Sequence, residues 1–204
     1  MVDAAIVILA AGGSRRMGKP KQLLLYHGVT FVEHAFQVAQ QVFESQVCIV
    51  LGAAAETITA AVPMIKDYTI INKNWQQGMG TSIGVGLQAI VSKFPELTAV
   101  MFMTADQLFV TSSHLRNMLG SFNAGTNKII VSSYQDTEGT PALFGKKYFN
   151  ELLQLKTDKG AKDIIREYSY DVSRLKLEKG EIDIDTPEQY HAIINQVDDH
   201  NDRI

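Results

Sequence analysis

Cysteine, tryptophan and proline are scarce in this chain: one, one and five among 204 residues. The single Cys48 excludes an internal disulfide, and with no Cys/His pairs at zinc spacing the chain reads as cytoplasmic, with Cys48 a buried strand residue. Charge of one sign is equally lacking, since 19 Lys and Arg against 22 Asp and Glu leave a formal net charge of -3. That excludes an overall basic field for nucleic acid or an anionic membrane, so a bound phosphate must be met by a local cluster. The apolar run from Ala4 to Ala11 is too short to cross a bilayer and has no basic residue before it. Neither a membrane helix nor a signal peptide is expected, and the mature chain is expected to begin at residue 1. Nucleophile motifs of the G-x-S-x-G type are missing. The histidines, His27, His34, His114, His191 and His200, have no partner at metal or triad spacing and read as surface or turn residues.

What is present is a 46% hydrophobic, 20% charged composition that suits one compact domain, taken as residues 1–197 with a flexible tail at 198–204. Apolar runs alternate with amphipathic stretches. Strands are expected at 4–10, 47–51, 68–71, 99–103 and 129–133, with short ones near 171–177 and 182–184. Helices are expected around Val32 to Phe43, 55–62, Ile83 to Val91, Leu115 to Phe122, 147–155 and 160–168. A last helix starts at Pro187, with Thr186 and Gln189 as a capping box around a proline at the first helical position. Such alternation predicts an α/β fold in three layers, α/β/α, around a mainly parallel sheet.

In an open α/β sheet, ligands bind beyond the carboxyl ends of the strands, which draws attention to the loop after the first strand, LAAGGSRRMGKPKQLL. Gly12, Gly13 and Gly18 permit close approach of a ligand to the backbone. Arg15, Arg16, Lys19 and Lys21 concentrate positive charge beside them, which suits a triphosphate as well as an ordinary solvated loop. Gly13 and Gly18-Lys19 nearly complete a P-loop. Pro20 breaks it, because it lacks the hydroxyl that would hold Mg²⁺ and turns Lys19 away from helical geometry. The dinucleotide fingerprint G-x-G-x-x-G is missing as well.

This loop resembles the signature of the molybdenum cofactor cytidylyltransferases, within the nucleotidyltransferase superfamily of Rossmann-like, GT-A-like fold. GMGTSIGVGL at 78–87, TADQ at 104–107, GTPALF at 139–144, DKGAK at 158–162 and DIDTPEQY at 183–190 follow in the family's order. The resemblance implies a nucleotide site made of Leu9, Ala10, Ala11, Gly12, Gly13, Ser14, Arg15 and Lys21, with Gly78, Gly80, Ser82, Thr104 and Asp106. Arg16 and Lys21 are implied as the cations that stabilise the transferred phosphoryl group. Ala10-Ala11-Gly12, where guanylyl-transferring relatives usually carry Ala-Gly-Gly, implies CTP as the nucleotide. Gly139-Thr140-Pro141 stands where Gly-His-Pro is more usual, a departure on the acceptor side. The implied reaction moves CMP from CTP to the phosphate of molybdopterin, with Mg²⁺ as cofactor and pyrophosphate as leaving group. The finished cofactor would pass to a molybdenum hydroxylase of xanthine dehydrogenase type. Another cytidylyl or sugar-phosphate nucleotidyltransferase would share these residues and differ in an acceptor pocket near 134–145. A non-catalytic nucleotide or cofactor chaperone would need neither Asp106 nor Lys21.

Residue chemistry agrees with an in-line displacement at phosphorus, whose main demand is charge stabilisation by metal and cations. Asp106 follows a buried run at a strand's carboxyl end, where it can reach Mg²⁺ or simply cap a turn. Asp183 and Asp185 point the same way if 183–185 are extended, as metal ligands or as carboxylates that favour the N-terminus of the following helix. Thr81 or Ser82 suits the N-cap of the helix after Gly78. Gly84 and Gly86 within that helix imply a close neighbour: the nucleotide's base and ribose by resemblance, or a tightly packed sheet. A phosphate monoester, with its second pKa near 6, is largely ionised at neutral pH, so no strong general base is required.

Overall fold

The computed structural model describes residues 3–14, 16–135, 137–156, 160–182 and 184–201. The strands are β1 (Ala4–Ala10), β2 (Leu25–Tyr26), β3 (Val29–Thr30), β4 (Val47–Leu51), β5 (Thr69–Ile71), β6 (Ala99–Thr104), β7 (Ile129–Tyr134), β8 (Thr137–Gly145) and β9 (Val172–Lys176). The helices are α1 (Phe31–Phe43), α2 (Ala55–Ala61), α3 (Met79–Lys93), α4 (Ser112–Ala124), α5 (Phe149–Leu153), α6 (Lys162–Glu167) and α7 (Pro187–Asn201). Seven strands form one sheet in the order β5-β4-β1-β6-β8-β7-β9. All run parallel except β8, which is antiparallel to both β6 and β7.

All seven residues of β1 are buried, because helices cover both of its faces. Ile6 and Ile8 meet Val32, Phe36, Leu115 and Met118 of α1 and α4 on one side. Val7 and Leu9 meet Ile83, Leu87 and Leu152 of α3 and α5 on the other. The expected three layers are therefore present. α1 starts where Thr30 Oγ1 accepts from the Glu33 amide at 3.3 Å and stops at Glu44, whose φ of 51° leaves the helical region.

Several local expectations are corrected. β8 was not among the expected strands: Gly139 and Pro141 interrupt its apolar pattern. Ile182 and Ile184 lie outside any strand; they belong instead to a third apolar cluster with Met17, Leu24, Phe31 and Ile193, which docks the C-terminal segment against the first loop. Neither Thr81 nor Ser82 caps α3; the cap position is Gly78, with φ 116°. Gly86 serves packing against the sheet, whereas a side chain at Gly84 would make only an ordinary contact. A Cβ at Gly86 would overlap Val7 Cγ1 and approach Val50 Cγ2 to 2.8 Å, and one at Gly84 would lie 3.6 Å from Leu153 O. His114 is buried and His34 half-buried on helices α4 and α1, since each finds a hydrogen-bond partner inside: Ser132 Oγ at 2.9 Å and Leu108 O at 3.1 Å.

Candidate active site

β1 and β6 are adjacent and parallel, so the segments that follow them, 11–20 and 105–107, emerge side by side at the carboxyl edge of the sheet. The first loop is shaped from within by Gln22, which is 3% exposed. Its Nε2 donates to Ala10 O at 2.7 Å and to Gly12 O at 3.0 Å. Drawing those carbonyls to one side turns the trans-related amides of Ala11 and Gly13 to the other. Ser14, with φ 47°, accepts from the Lys21 amide at 3.0 Å, so its hydroxyl closes the loop. Gly13 packs against Trp75: a Cβ there would lie 2.9 Å from the outer edge of the indole.

The second wall comes from the turn into α3. Asn72, 1% exposed, donates through Nδ2 to Thr81 Oγ1 and Ser82 Oγ, both at 2.9 Å. The C-terminal segment supplies a third part. Gln189 Oε1 accepts from the amides of Asp185 and Thr186 at 2.8 and 2.9 Å, so the expected capping box also fixes Asp185. Tyr190 ties α7 to β2 by donating to Leu25 O at 3.0 Å.

These parts converge on one charged cluster. Lys21 Nζ ion-pairs with Asp106 and, at 3.2 Å, with Asp185 Oδ1, while Arg16 pairs with Asp185. Burial pulls the Lys21 pKa down, but Asp106 and then Asp185 outweigh it, so the ammonium is held above its ordinary 10.5. The cluster lies between two cavities. One, of about 520 Å³, is lined by Leu9, Ala10, Ala11, Gly12, Gly13, Lys21, Gln22, Trp75, Gly78, Ser82, Thr104 and Asp106. The other, of about 750 Å³, is lined by Phe102, Gln107, Glu138, Gly139, Thr140, Phe144, Lys162 and Ile165, and it shares Leu9, Lys21, Met79, Thr104 and Asp106 with the first.

Most of the residues proposed from sequence are thus brought together. Arg16 is exposed beside the cluster, Ser14 turns into its own loop, and Gly80 is buried in the first turn of α3. Arg15 and Asp183 lie outside the described residues. Among those described, no group of three or more His, Cys, Asp or Glu gathers at a metal position, and no helix is long and apolar enough to cross a membrane. Sequence reasoning missed Gln22, Asn72, Trp75 and Gln107. Only the placement of Gln22 and Gln107 beside Lys21 and Asp106 hinted at them.

Residues 6–172 match the family described as a MobA-like NTP transferase domain. Nicotine blue oxidoreductase of Paenarthrobacter nicotinovorans is 38% identical over 96 residues, 47% of each chain. A probable molybdenum cofactor guanylyltransferase of Bacillus cytotoxicus is 31% identical over 134 residues, 64% of this chain and 62% of that one. The chain therefore spans less than two thirds of either relative. Purine catabolism protein PucB of Bacillus subtilis is 27% identical over 92% of this chain and 94% of its own. The crystal structure of Rv0371c from Mycobacterium tuberculosis H37Rv superposes with a TM-score of 0.83 at 29% identity, covering 96% of this chain and 99% of that one. A second structure of Rv0371c, a complex with manganese, gives 0.76 at 27% identity, covering 95% and 99%. With its parallel sheet, its glycine loop and the carboxylate-cation cluster at the strand ends, the chain belongs to the MobA-like NTP transferases, a nucleotidyltransferase family related to the molybdenum cofactor nucleotidyltransferases.

Proposed function

We propose that the protein transfers CMP from CTP to the terminal phosphate of molybdopterin and releases pyrophosphate. The observation that carries this reading is the meeting of two cavities at Lys21 and Asp106, which gives a nucleotide and a second phosphorylated substrate one common point. The smaller chamber, walled by the glycine loop, takes the nucleotide. The larger, floored by Phe102, Phe144 and Ile165, takes the acceptor, whose ring system suits an apolar floor. Ala10-Ala11-Gly12 supports CTP over GTP. Kinship with a protein named for purine catabolism supports a hydroxylase of xanthine dehydrogenase type as recipient.

Asp106 and Asp185 fit a divalent ion. Their oxygens already converge on one cation, the Lys21 ammonium, and a hard carboxylate pair completed by phosphate oxygens is how Mg²⁺ is usually held. When bound, Mg²⁺ neutralises phosphate charge and polarises the α-phosphorus. The loop amides of Ala11 and Gly13 bind phosphate oxygens, and Arg16 and Lys21 exchange their carboxylates for the triphosphate. An oxygen of the acceptor's phosphate monoester forms the new bond to the α-phosphorus as the bond to the bridging oxygen of the β-phosphate breaks. Pyrophosphate carries away the electron pair, and Lys21 stabilises the charge that grows on the α-phosphate.

The test is pyrophosphate release by the purified protein with each NTP, Mg²⁺ and molybdopterin. CTP should be used in strong preference, and Ala11→Gly should relax that preference modestly. Equal turnover of CTP and GTP would remove the cytidylyl assignment. Redox turnover of nicotine blue without pyrophosphate release would favour the chemistry named for the Paenarthrobacter relative.

A further inference from the structure

The ladder between β7 and β8 breaks where β8 lines the larger cavity. Val131 and Ser132 are consecutive on β7, yet their partners on β8 are Ala142 and Gly139. Thr140 and Pro141 form a two-residue insertion that the ladder with β7 skips. Proline has no N–H to offer, and both carbonyls of the insertion are taken by side chains. Thr140 O accepts from Gln107 Nε2 at 2.6 Å, and Pro141 O accepts from Ser132 Oγ at 2.8 Å. Ser132 is fully buried and its one proton goes to Pro141 O, so in the 2.9 Å contact with His114 Nε2 the imidazole is the donor.

Gln107 also faces the other way. Its Oε1 accepts from the Thr104 amide at 3.4 Å, closing the turn that carries Asp106. A carbonyl on one side and an amide on the other fix the orientation of its carboxamide. One side chain therefore joins the Asp106 turn to the strand whose Glu138, Gly139 and Thr140 line the larger cavity.

We infer that Gln107 is a positioning residue that sets the acceptor wall at a fixed distance from Asp106, with Ser132 and His114 bracing the same insertion from behind. This rests on reading the larger cavity as the acceptor chamber. A residue that merely filled space would tolerate any side chain of equal size, whereas this role requires the N–H donor.

Gln107→Glu and Gln107→Met keep the length and lose the donor. Both should raise the acceptor KM by about tenfold, the scale of one lost hydrogen bond, and leave the KM for CTP unchanged. Amide hydrogen exchange across 137–142 should quicken in both, while exchange across β4 stays as in the parent. Unchanged acceptor KM in both variants, a parallel rise in the KM for CTP, or unchanged exchange at 137–142 would overturn the inference. If the parent protein itself shows no CTP- and acceptor-dependent pyrophosphate release, the functional reading fails. The exchange measurement then decides the positioning alone: unchanged protection overturns it and selective loss supports it.

Discussion

Replacing Lys21 by alanine separates catalysis from binding. Its ammonium stands 3.2 Å from one carboxylate oxygen of Asp185 and closer still to Asp106, with the three side chains only 16–26% exposed. At an effective dielectric near 20, a unit pair at that separation is worth about 5 kcal/mol before desolvation. When Lys21 trades these carboxylates for the triphosphate, most of that attraction is common to ground and transition states. The part that grows as charge develops on the α-phosphate is the part that raises the rate. Single electrostatic groups of this kind contribute about 3–4 kcal/mol, so kcat and kcat/KM should fall together by roughly 10²- to 10³-fold while the KM for CTP stays near its parent value. Without metal, the variant leaves Asp106 and Asp185 facing each other with Arg16 as the remaining cation. Stability should drop by about 1–3 kcal/mol, between an exposed and a buried pair, and Mg²⁺ or Mn²⁺ should restore it. Steady-state kinetics of Lys21→Ala beside Lys19→Ala decide the point, since Lys19 is exposed and should show a mild, binding-like loss. Equal behaviour of the two variants, or a change confined to KM, would refute the role given to Lys21.

Asp106→Ala should abolish turnover yet shift the thermal midpoint by only a few degrees, because Lys21 keeps Asp185; near-normal activity at low Mg²⁺ would exclude a metal ligand there. Gly86→Ala gains about 1 kcal/mol of helix propensity but forces a methyl against Val7 and Val50, an overpacking cost of about 1–3 kcal/mol. Its melting temperature should fall with the KM for CTP unchanged, and a raised KM without a thermal loss would return this glycine to the nucleotide. Burial lowers the pKa of His114, and burial also lowers that of His34 despite its bond to Leu108 O, with His27 adding repulsion. The unfolded chain takes up these protons near 6.5 and the native state only at lower pH, so stability is full above 6.5 and declines as pH falls from there toward the lowered native values. Thermal midpoints at pH 7.5 and 5.5 should differ in that direction, and His114→Gln should flatten the difference; an unchanged slope would show that His114 does not contribute.

Much of this protein was legible without coordinates. The buried runs of β1, β4 and β6 and the spacing of Val32, Ala35, Phe36 and Phe43 record which faces are covered, because a helix or strand writes its environment into its own periodicity. The glycines and cations of the first loop, and Asp106 two residues beyond Thr104 at the end of β6, marked the functional edge for the same local reason. Pairing between distant segments leaves no such trace. β8 was invisible because Gly139 and Pro141 break its alternation, and its antiparallel place between β6 and β7 follows from ladders formed across the fold. Gly86 announced a close neighbour without saying which, and only the position of β1 and β4 beneath α3 identified the sheet. Asp185 reaches Lys21 and Arg16 from more than 160 residues away, carried by a C-terminal segment whose Ile184 and Ile193 pack on Met17 and Leu24. The sequence alone thus determined most of the elements and the charged loop, whereas the place of β8 and the meeting of carboxylates, cations and two cavities at one point were decided by tertiary packing, which no local pattern encodes.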